Sequence, residues 1–529
     1  MQNFVHLHVH SQYSILDGQA SIPRLVDKAM ADGMPGIALT DHGNMFGVKE
    51  FYNYIKKQNC KKHDKIKNLK KLLAALETLM SEHADMVAYL ADRKLELVEL
   101  EKNKDSLPEN AVAYSKAKNH VEQVEAMDKE FGFSASTARE KIAKLEAVPD
   151  FKPIIGCEVY VARRAMHLKD KTFKGDQSGY HLILLAKNAK GYHNLIKIVS
   201  KAWTEGFYMR PRTDRTELEK YHEGLICCSA CLGGEIPKRI TNDQFEEAEE
   251  AVRWYKRVFG DDYYLELQLH KATVARANHE AYPMQLKVNE HLKRLAQKYD
   301  IKLVCTNDVH FIDEENAEAH DRLICLSTSK DLDDPKRMLY SKQEWLKTRE
   351  EMAKIFGDVP EAMANTVDIC NQVEHYSIDH APIMPTFAIP EEFGTEEEYR
   401  SRLTEKDLFD EFTRDENGNV VMSEEDAHKK IERLGGYDKL YRIKFEADYL
   451  AHLTFIGAKK RYGDPLSEEV RERLVFELHI MKTMGVPGYF LIVQDFMTAA
   501  RDLLDVSVGP GRGSAAGSAA FNSGTRSIA

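Results

Sequence analysis

Close to the amino terminus the sequence reads Phe4-Val5-His6-Leu7-His8-Val9-His10, with Asp17 a short step behind. In an extended chain alternate side chains share a face. His6, His8 and His10 therefore project one way, and Val5, Leu7 and Val9 the other. Three imidazoles on one face suit the mouth of a metal site better than a core, because neutral imidazole is the commonest side-chain ligand for zinc-like ions. Spacing alone does not say which of the three would bind.

Acids and imidazoles recur downstream, each next to a short apolar run that reads as a strand. Asp41 and His42 close Gly36–Thr40, Glu158 lies within Ile154–Val161, and His181 begins His181–Ala186. Cys231 follows Leu225–Cys228, and Asp308 and His310 follow Lys302–Thr306. Singly these are weak signals, since Asp and Gly are ordinary turn residues. Cys228-x-x-Cys231 has no second half that would complete a zinc knuckle, and Cys228 reads as buried. His193, His222 and His270 have no such register and read as surface or core. The recurrence carries the argument: a mouth lined from strand after strand by His, Asp, Glu and Cys can hold several divalent ions. Such sites generate hydroxide and clamp a phosphoryl oxygen during in-line displacement.

The elements that must position these groups alternate. The seven candidate strands, counting Phe4–His10 and Tyr263–Leu269, are mostly separated by helices such as Arg24–Met30, Tyr192–Lys201, Asp243–Phe259 and Met284–Lys298. That alternation implies an α/β fold of parallel strands with right-handed crossovers, and seven such strands suggest a barrel or barrel-like sheet. Chemistry then collects at the carboxyl ends of the strands. A helix expected to end near Lys57 leads into Gln58–Asp150, rich in Lys, Glu, Leu and Ala. There Ile66, Leu69, Leu73, Leu76, Met80, His83, Val87 and Leu90 step by threes and fours as a coiled-coil seam. The turn-like Asp105–Asn110 precedes a second helix with Val121, Val124, Met127 and Phe131, giving an antiparallel helical arm. The arm is either a solvated insertion packed on itself or a surface for a partner.

The 529 residues exceed one domain, and 43 % hydrophobic with 30 % charged residues suits a chain with real cores. There is no secretory signal at Met1–Phe4 and no apolar run of membrane length. Eight scattered cysteines lack the spacing of a disulfide scaffold, so a reducing cytoplasm is the expected compartment. The net charge of −11 neither announces nor excludes nucleic acid, because a basic groove is local.

Four segments, Leu7-His8-Val9-His10-Ser11, Leu39-Thr40-Asp41-His42-Gly43, Gly156-Cys157-Glu158-Val159 and Asn307-Asp308-Val309-His310, resemble the motifs of the PHP (polymerase and histidinol phosphatase) family. The resemblance implies a distorted seven-stranded βα barrel and a trinuclear metal centre whose ligands correspond to His8, His10, Asp17, His42, Glu158, His181, Cys231, Asp308 and His310. It places His6 outside the set. Asp41, the neighbour of His42, is expected to orient it, the two forming the catalytic pair, and a set of His, Asp, Glu and Cys suits zinc, manganese or iron.

Beyond Phe311 the chain reads as flanking helices (Ser341–Phe356, Pro360–Val373), then an extended, Pro-broken linker from Tyr376 to Phe387. These divide a first domain, residues 1–385 with the arm at 58–150, from a second at 386–529. Helices follow at Glu396–Phe412, Ser467–Met484 and Tyr489–Leu504. The stretch Val508-Gly509-Pro510-Gly511-Arg512-Gly513-Ser514 can cradle a phosphate through backbone amides, or it is a flexible Gly/Ser tail. It has no Gly-Lys-Ser/Thr of a Walker loop, and no room for a dinucleotide βαβ unit. Together with Met484-Gly485-Val486-Pro487-Gly488-Tyr489-Phe490 it resembles the start of the α+β palm in the bacterial replicative (C-family) DNA polymerase III alpha subunits.

That resemblance implies that Arg512, Gly513 and Ser514 bind the triphosphate of an incoming nucleotide. It also implies DNA primer-template and dNTP as substrates, with a sliding clamp and a proofreading subunit as partners and no membrane. The family's Pro-Asp-x-Asp-x-Asp segment, which binds two magnesium ions, does not appear before Ala529. The chain is therefore expected to be an amino-terminal fragment or a product truncated by a frameshift, unable to polymerise alone. Its PHP part is expected to act as a metal-dependent 3′–5′ exonuclease or phosphoesterase. The alternatives are a purely structural, metal-stabilised scaffold and a stand-alone phosphatase.

Overall fold

The computed structural model describes residues 3–380, 385–509 and 517–524. The chain divides into two compact units, Met1–Asp379 and His380–Ala529.

The first unit is built on a curled sheet of β1 (Gly36–Leu39), β2 (Lys152–Ala162), β3 (Gly179–Ala186), β4 (Arg212–Thr213), β5 (Leu225–Cys228), β6 (Tyr263–Leu267) and β7 (Lys302–Cys305). The strand order is β1-β2-β3-β5-β6-β7, with β4 added beside β2. Pairings β1–β2, β2–β4, β5–β6 and β6–β7 are parallel, but β3 runs antiparallel to both β2 and β5. The all-parallel expectation fails at β3, and the reason lies in the connection before it. Residues 163–178 hold only a short 3₁₀ turn, Lys174–Gln177, and a parallel return needs a longer crossover. The two-residue β4 carries no pattern of its own in the sequence.

Residues 4–10 are extended but do not form a regular strand; the chain bends at His8 and bridges only at Val9 to Val309. They nevertheless tie β1 to the segment after β7. Ala38 N donates to His6 O and Thr40 N to Val9 O, while His10 N donates to Val309 O and Val309 N to His8 O. The bend also breaks strict alternation. Val5 and Leu7 pack inside the curl with Ala38, Ile154, Ile183, Ile226 and Val304, whereas Phe4 and Val9 join the helix-covered core outside it. Helix Pro360–Gln372 closes the inner cluster with Ile369 and Cys370. The helix expected over Ser341–Phe356 is confined to Arg349–Ile355, capped by a Thr348–Glu351 capping box.

The helix expected to stop near Lys57 runs unbroken over Val48–Glu82 into the arm. The arm holds three further helices, Met86–Asn103, Pro108–Phe131 and Ala135–Ala147, where two antiparallel helices were expected. Asp85 ends the anticipated seam: its carboxylate accepts from the amides of Val87 and Ala88, starting a new helix and leaving Val87 exposed. A second break comes at Gly132, which takes the left-handed conformation favourable to glycine, followed by the cap Ser134. The arm buries its own core of Leu69, Leu76, Val121, Val124, Met127 and Ile142.

The regular elements of the second unit are all helices among the described residues, with one isolated bridge between Arg414 and Val420, so the strands of a mixed α+β palm are not among them. Its helices are Glu396–Arg402, Glu405–Thr413, Glu424–Leu434, Tyr437–Tyr462, Glu468–Thr483, Pro487–Asp502 and Ala519–Gly524. Thr404 divides the helix expected over Glu396–Phe412 through a capping box with Asp407. The long helix Tyr437–Tyr462 packs so closely on the last one that a Cβ at Gly457 would lie 1.9 Å from Ser523 O. Arg512, Gly513 and Ser514 lie outside the described residues. Among the described residues no helix is long and apolar enough to cross a membrane.

Candidate metal centre

Alternation along the strands decides which side chains enter the curl. In β2, Glu158 shares the inward face with Ile154; in β3, His181 shares it with Ile183 and Leu185. Because β3 is antiparallel, its first residues lie beside the carboxyl end of β2, with Tyr160 opposite His181. His181 thus reaches the same mouth as groups from the carboxyl ends of other strands. On the far side, the Val9–Val309 bridge sets His8 and His10 against Asp308 and His310. Asp308 turns the chain there in the left-handed region (φ 46°), which Asp tolerates better than most residues.

Glu158 is the hub. Its Oε1 lies 2.6 Å from His181 Nδ1, 3.6 Å from His8 Nε2 and 3.8 Å from Cys231 Sγ. Its Oε2 is in contact with His42 Nδ1 and lies 3.5 Å from His10 Nε2. Asp308 Oδ1 lies 3.0 Å from His8 Nε2 and 3.2 Å from His10 Nε2. Asp17 Oδ2 lies 3.1 Å from His42 Nε2, and its Oδ1 3.8 Å from His310 Nε2. Three overlapping donor groups result: His8, His10 and Glu158; His10, His42 and His310; and Glu158, His181 and Cys231. All nine residues expected from the sequence stand around this one mouth, which opens to a cleft of about 220 Å³ lined in part by His42, His181, Cys231, Asp308 and His310.

Six of these donor atoms meet only other groups of the cluster, at ion-pairing distances. His8 Nε2, His10 Nε2, His42 Nδ1, His310 Nε2, Glu158 Oε2 and Asp308 Oδ1 are buried and make no hydrogen bond. Buried polar atoms are ordinarily satisfied, so six orphans converging on one mouth fit a cation-binding set. Hard carboxylates, imidazoles and one thiol suit divalent ions of the zinc, manganese and iron kind.

The electrostatics divide the set: burial works against charge on His8 and His42, yet Asp308 and Glu266 beside the first and Glu158 beside the second raise both well above the ordinary histidine value. Burial works against the charge of Glu158, yet His181 and His42 hold its carboxyl well below the usual range. Asp308, also buried, is held well below it by His8 and His10. Burial, with His42 and His310 beside it, pushes His10 down to about 3, so its ring is neutral and free to ligate. Burial and the neighbouring Asp308 and Glu158 carboxylates raise the Cys231 thiol well above its ordinary value. A thiolate there requires a cation to stabilise it.

Several residues have other duties. The Asp41 carboxylate does not meet the His42 ring; it accepts from Ser11 N (2.7 Å), Ser14 Oγ (2.8 Å) and Ser11 Oγ, and so anchors the loop that carries Asp17. His42 is tied to that loop by its own amide, which donates to Ser14 Oγ. His6 points elsewhere, 2.8 Å from Lys347 O, and Cys228 lies in the inner apolar cluster. His270 is buried, bonding to Gln285 and to Asn307 O.

Three residues escaped the sequence reading. Glu266 in β6 bonds His8 Nδ1 at 2.7 Å, and Tyr340 Oη donates to Asp17 Oδ1 at 2.9 Å. His320 Nε2, an orphan itself, lies 3.8 Å from Asp17 Oδ1. An acid amid Tyr263-Tyr264-Leu265-Glu266-Leu267 was the one available sign, since such a strand is otherwise apolar.

Residues 6–270, half of the chain, match the PHP domain family. The chain belongs to the PHP family. The PHP match spans seven of the nine clustered residues, with Asp308 and His310 following it. Residues 448–524 match a second family, the bacterial DNA polymerase III alpha NTPase domain. Beyond its PHP domain, the chain is similar over nearly its whole length to proteins named DNA polymerase III subunit alpha. That of Borreliella burgdorferi is 34 % identical over 517 residues, covering 97 % of this chain and 32 % of the relative. That of Treponema pallidum is 32 % identical over 98 % of this chain and 31 % of the relative, and that of Thermus aquaticus 32 % over 97 % and 35 %. The PHP chain thus spans about a third of the length of these relatives.

Proposed function

We propose that the nine-residue cluster holds two or more divalent ions and that the PHP unit hydrolyses phosphodiester bonds at the 3′ end of single-stranded DNA. The unit would lie in a chain that forms the amino-terminal part of a DNA polymerase III alpha subunit. The observation that carries this reading is the convergence of six orphaned, buried donor atoms on one open cleft. The bound ions, zinc, manganese or iron, supply Lewis acidity and a water of lowered pKa. The chain supplies the rest. Glu158, Asp17 and Asp308 bring the negative charge that retains the ions. The imidazoles of His8, His10, His42, His181 and His310, with Cys231, complete the donor set. Glu266 fixes the ring of His8 through Nδ1, leaving Nε2 for the cluster. Asp41 holds the Ser11–Ser14 turn, which places both Asp17 and His42.

The first domain in this reading is residues 1–385 with the arm at 58–150, and residues 386–529 begin the polymerase part. Arg512, Gly513 and Ser514 would contact the triphosphate of an incoming dNTP, with magnesium held by carboxylates of the longer protein. Primer-template DNA, a sliding clamp and a proofreading subunit are the partners of that longer protein, in the cytoplasm.

The test is cleavage of a 3′-labelled single strand by the purified chain with manganese or zinc. Mononucleotide release, lost in His8→Ala and in Asp308→Ala, is expected; activity that survives both substitutions refutes the assignment. A second reading, a structural metal clamp, is favoured by one observation: the donors come from the amino-terminal segment, β2, β3 and the loops after β1, β5 and β7, so ions there would tie the curl together. A chelator that lowers the melting temperature of a chain inactive with every metal supports that reading instead.

A further inference from the structure

Beside the cluster the surface changes from carboxylates and imidazoles to exposed rings. Phe46 lies four residues after His42 and is 59 % exposed; Trp203 is 42 % and Phe207 44 % exposed. The three form one patch. Trp203 and Phe207 stack with centroids 5.4 Å apart and planes 19° apart, and Phe46 lies 6.2 Å from Trp203. The patch is fastened to the site: the Trp203 indole N–H donates to the carbonyl of Gly43, the residue after His42, at 2.8 Å.

The loop that carries Phe207 is held in place rather than loose. Arg212 is fully buried and donates to the carbonyls of Gly206, Met166 and Leu168. β4 pairs with β2 at Tyr160 and Val161, and a Cβ on Gly206 would lie 1.8 Å from Arg212 O. Arg210, at the tip of this loop, is exposed and forms no ion pair among the described residues. Its guanidinium lies 5.7 Å from the Tyr160 ring, which in turn stands 6.3 Å from His42 and 5.3 Å from His181. A cation without a carboxylate and a preset ladder of exposed rings therefore lead into a phosphodiester-cleaving cluster. Large exposed rings are costly to leave wet, and a contiguous group marks a binding surface.

We propose that Phe46, Trp203 and Phe207 are a stacking platform for the unpaired bases of a single-stranded nucleic acid. Arg210 takes a backbone phosphate, so that the strand's end is fed toward His42 and His181. The chemistry fits: aromatic rings accept any base through its π-face, and an adjacent cation follows the backbone, which gives sequence-tolerant binding of single strands. The proposal rests on the nucleic-acid reading of the cluster and adds the surface that would make it act on strands rather than on small phosphate esters.

The test is a titration of the full chain with fluorescent oligothymidylate in EDTA, where hydrolysis is absent, reading anisotropy and tryptophan emission. The wild type is expected to bind with quenched emission. Phe207→Ala should weaken binding about 5- to 150-fold, the range set by one stacked base. Trp203→Phe keeps a ring and should retain most of the affinity while losing the quench. Arg210→Ala should lower both the affinity and its salt dependence. An abasic oligomer, which loses stacking on all three rings, should bind the wild type at least as weakly as thymidylate binds Phe207→Ala. Thermal melting of each variant controls for folding, and the Trp203→Phe pair of readouts stands even where an alanine variant unfolds. The proposal is overturned by an absence of strand binding, by equal affinity for abasic and thymidine oligomers, or by unchanged binding in a folded Phe207→Ala. Strand binding through the patch with no cleavage under any metal would sink the hydrolytic reading alone. Cleavage indifferent to the patch would sink the platform alone.

Discussion

Substituting Glu266 by Gln separates the ligands from what holds them. Glu266 is buried in β6, and its Oε1 accepts from His8 Nδ1 at 2.7 Å, from Gln268 Nε2 at 3.0 Å and from Thr306 Oγ1 at 2.5 Å. Three donors on one oxygen define the charged carboxylate as the acceptor that sets the His8 tautomer. Its other oxygen makes no hydrogen bond. In Glu266→Gln the amide oxygen can still accept, but the charge is gone, and the NH₂ group falls where no acceptor stands. Loss of a charged hydrogen-bond partner weakens the interaction by about 1.5–3 kcal/mol, and loss of an outer carboxylate behind a ligating histidine costs about 10–100-fold in metal affinity. The expected result is weaker binding of manganese or zinc in that range, measured by calorimetry on the chelator-stripped chain, with the thermal transition of the first unit still cooperative. Unchanged affinity in a folded variant would refute the claim that Glu266 orients His8.

Two further predictions concern stability. Arg337 and Asp321 form a buried bidentate pair (2.6 and 2.7 Å), so Asp321→Asn should leave a buried guanidinium uncompensated and destabilise the first unit by about 3–5 kcal/mol in denaturant melts. Burial would raise the Asp321 carboxyl, but the guanidinium outweighs it and holds it below its ordinary value. Its contribution is therefore full above the unfolded value of about 3.9 and is lost as pH falls through the lower folded value; the wild-type advantage over Asp321→Asn should shrink only in acid. In the arm, Leu76 is fully buried. Leu76→Ala should cost about 2–5 kcal/mol there, read as faster hydrogen exchange across 48–147 with metal affinity unchanged; slowed exchange, or altered metal binding, would contradict an arm with its own core.

Much of the site was legible in the sequence because its ligands are of rare types at strand ends, where polar groups need a reason. The two-residue spacing of His8 and His10 holds, although the chain bends at His8 and the apolar partners Leu7 and Val9 pack on opposite sides of the sheet wall. The direction of β3 was not read, although the helix-poor stretch before it carried the information. Its reversal is what lets His181, at the start of a strand, join groups at the ends of others. Glu266 was missed because it belongs to none of the four motif segments and acts through His8, a contact that only the pairing of distant segments creates. Tyr340 lies in an irregular segment and His320 on the helix Ala317–Thr328, far from Asp17 in sequence, so only tertiary packing brings them to it. The arm's seam was read correctly up to Leu76, but periodicity cannot show that the Asp85 cap outcompetes a continuous helix.

The most direct measurement is anomalous X-ray scattering from crystals of this chain grown with manganese or zinc. The account predicts two or more ions within the cluster of His8, His10, Asp17, His42, Glu158, His181, Cys231, Asp308 and His310, with Glu158 shared between them. A cluster that stays empty at saturating metal, with ions found only on surface carboxylates, would contradict it.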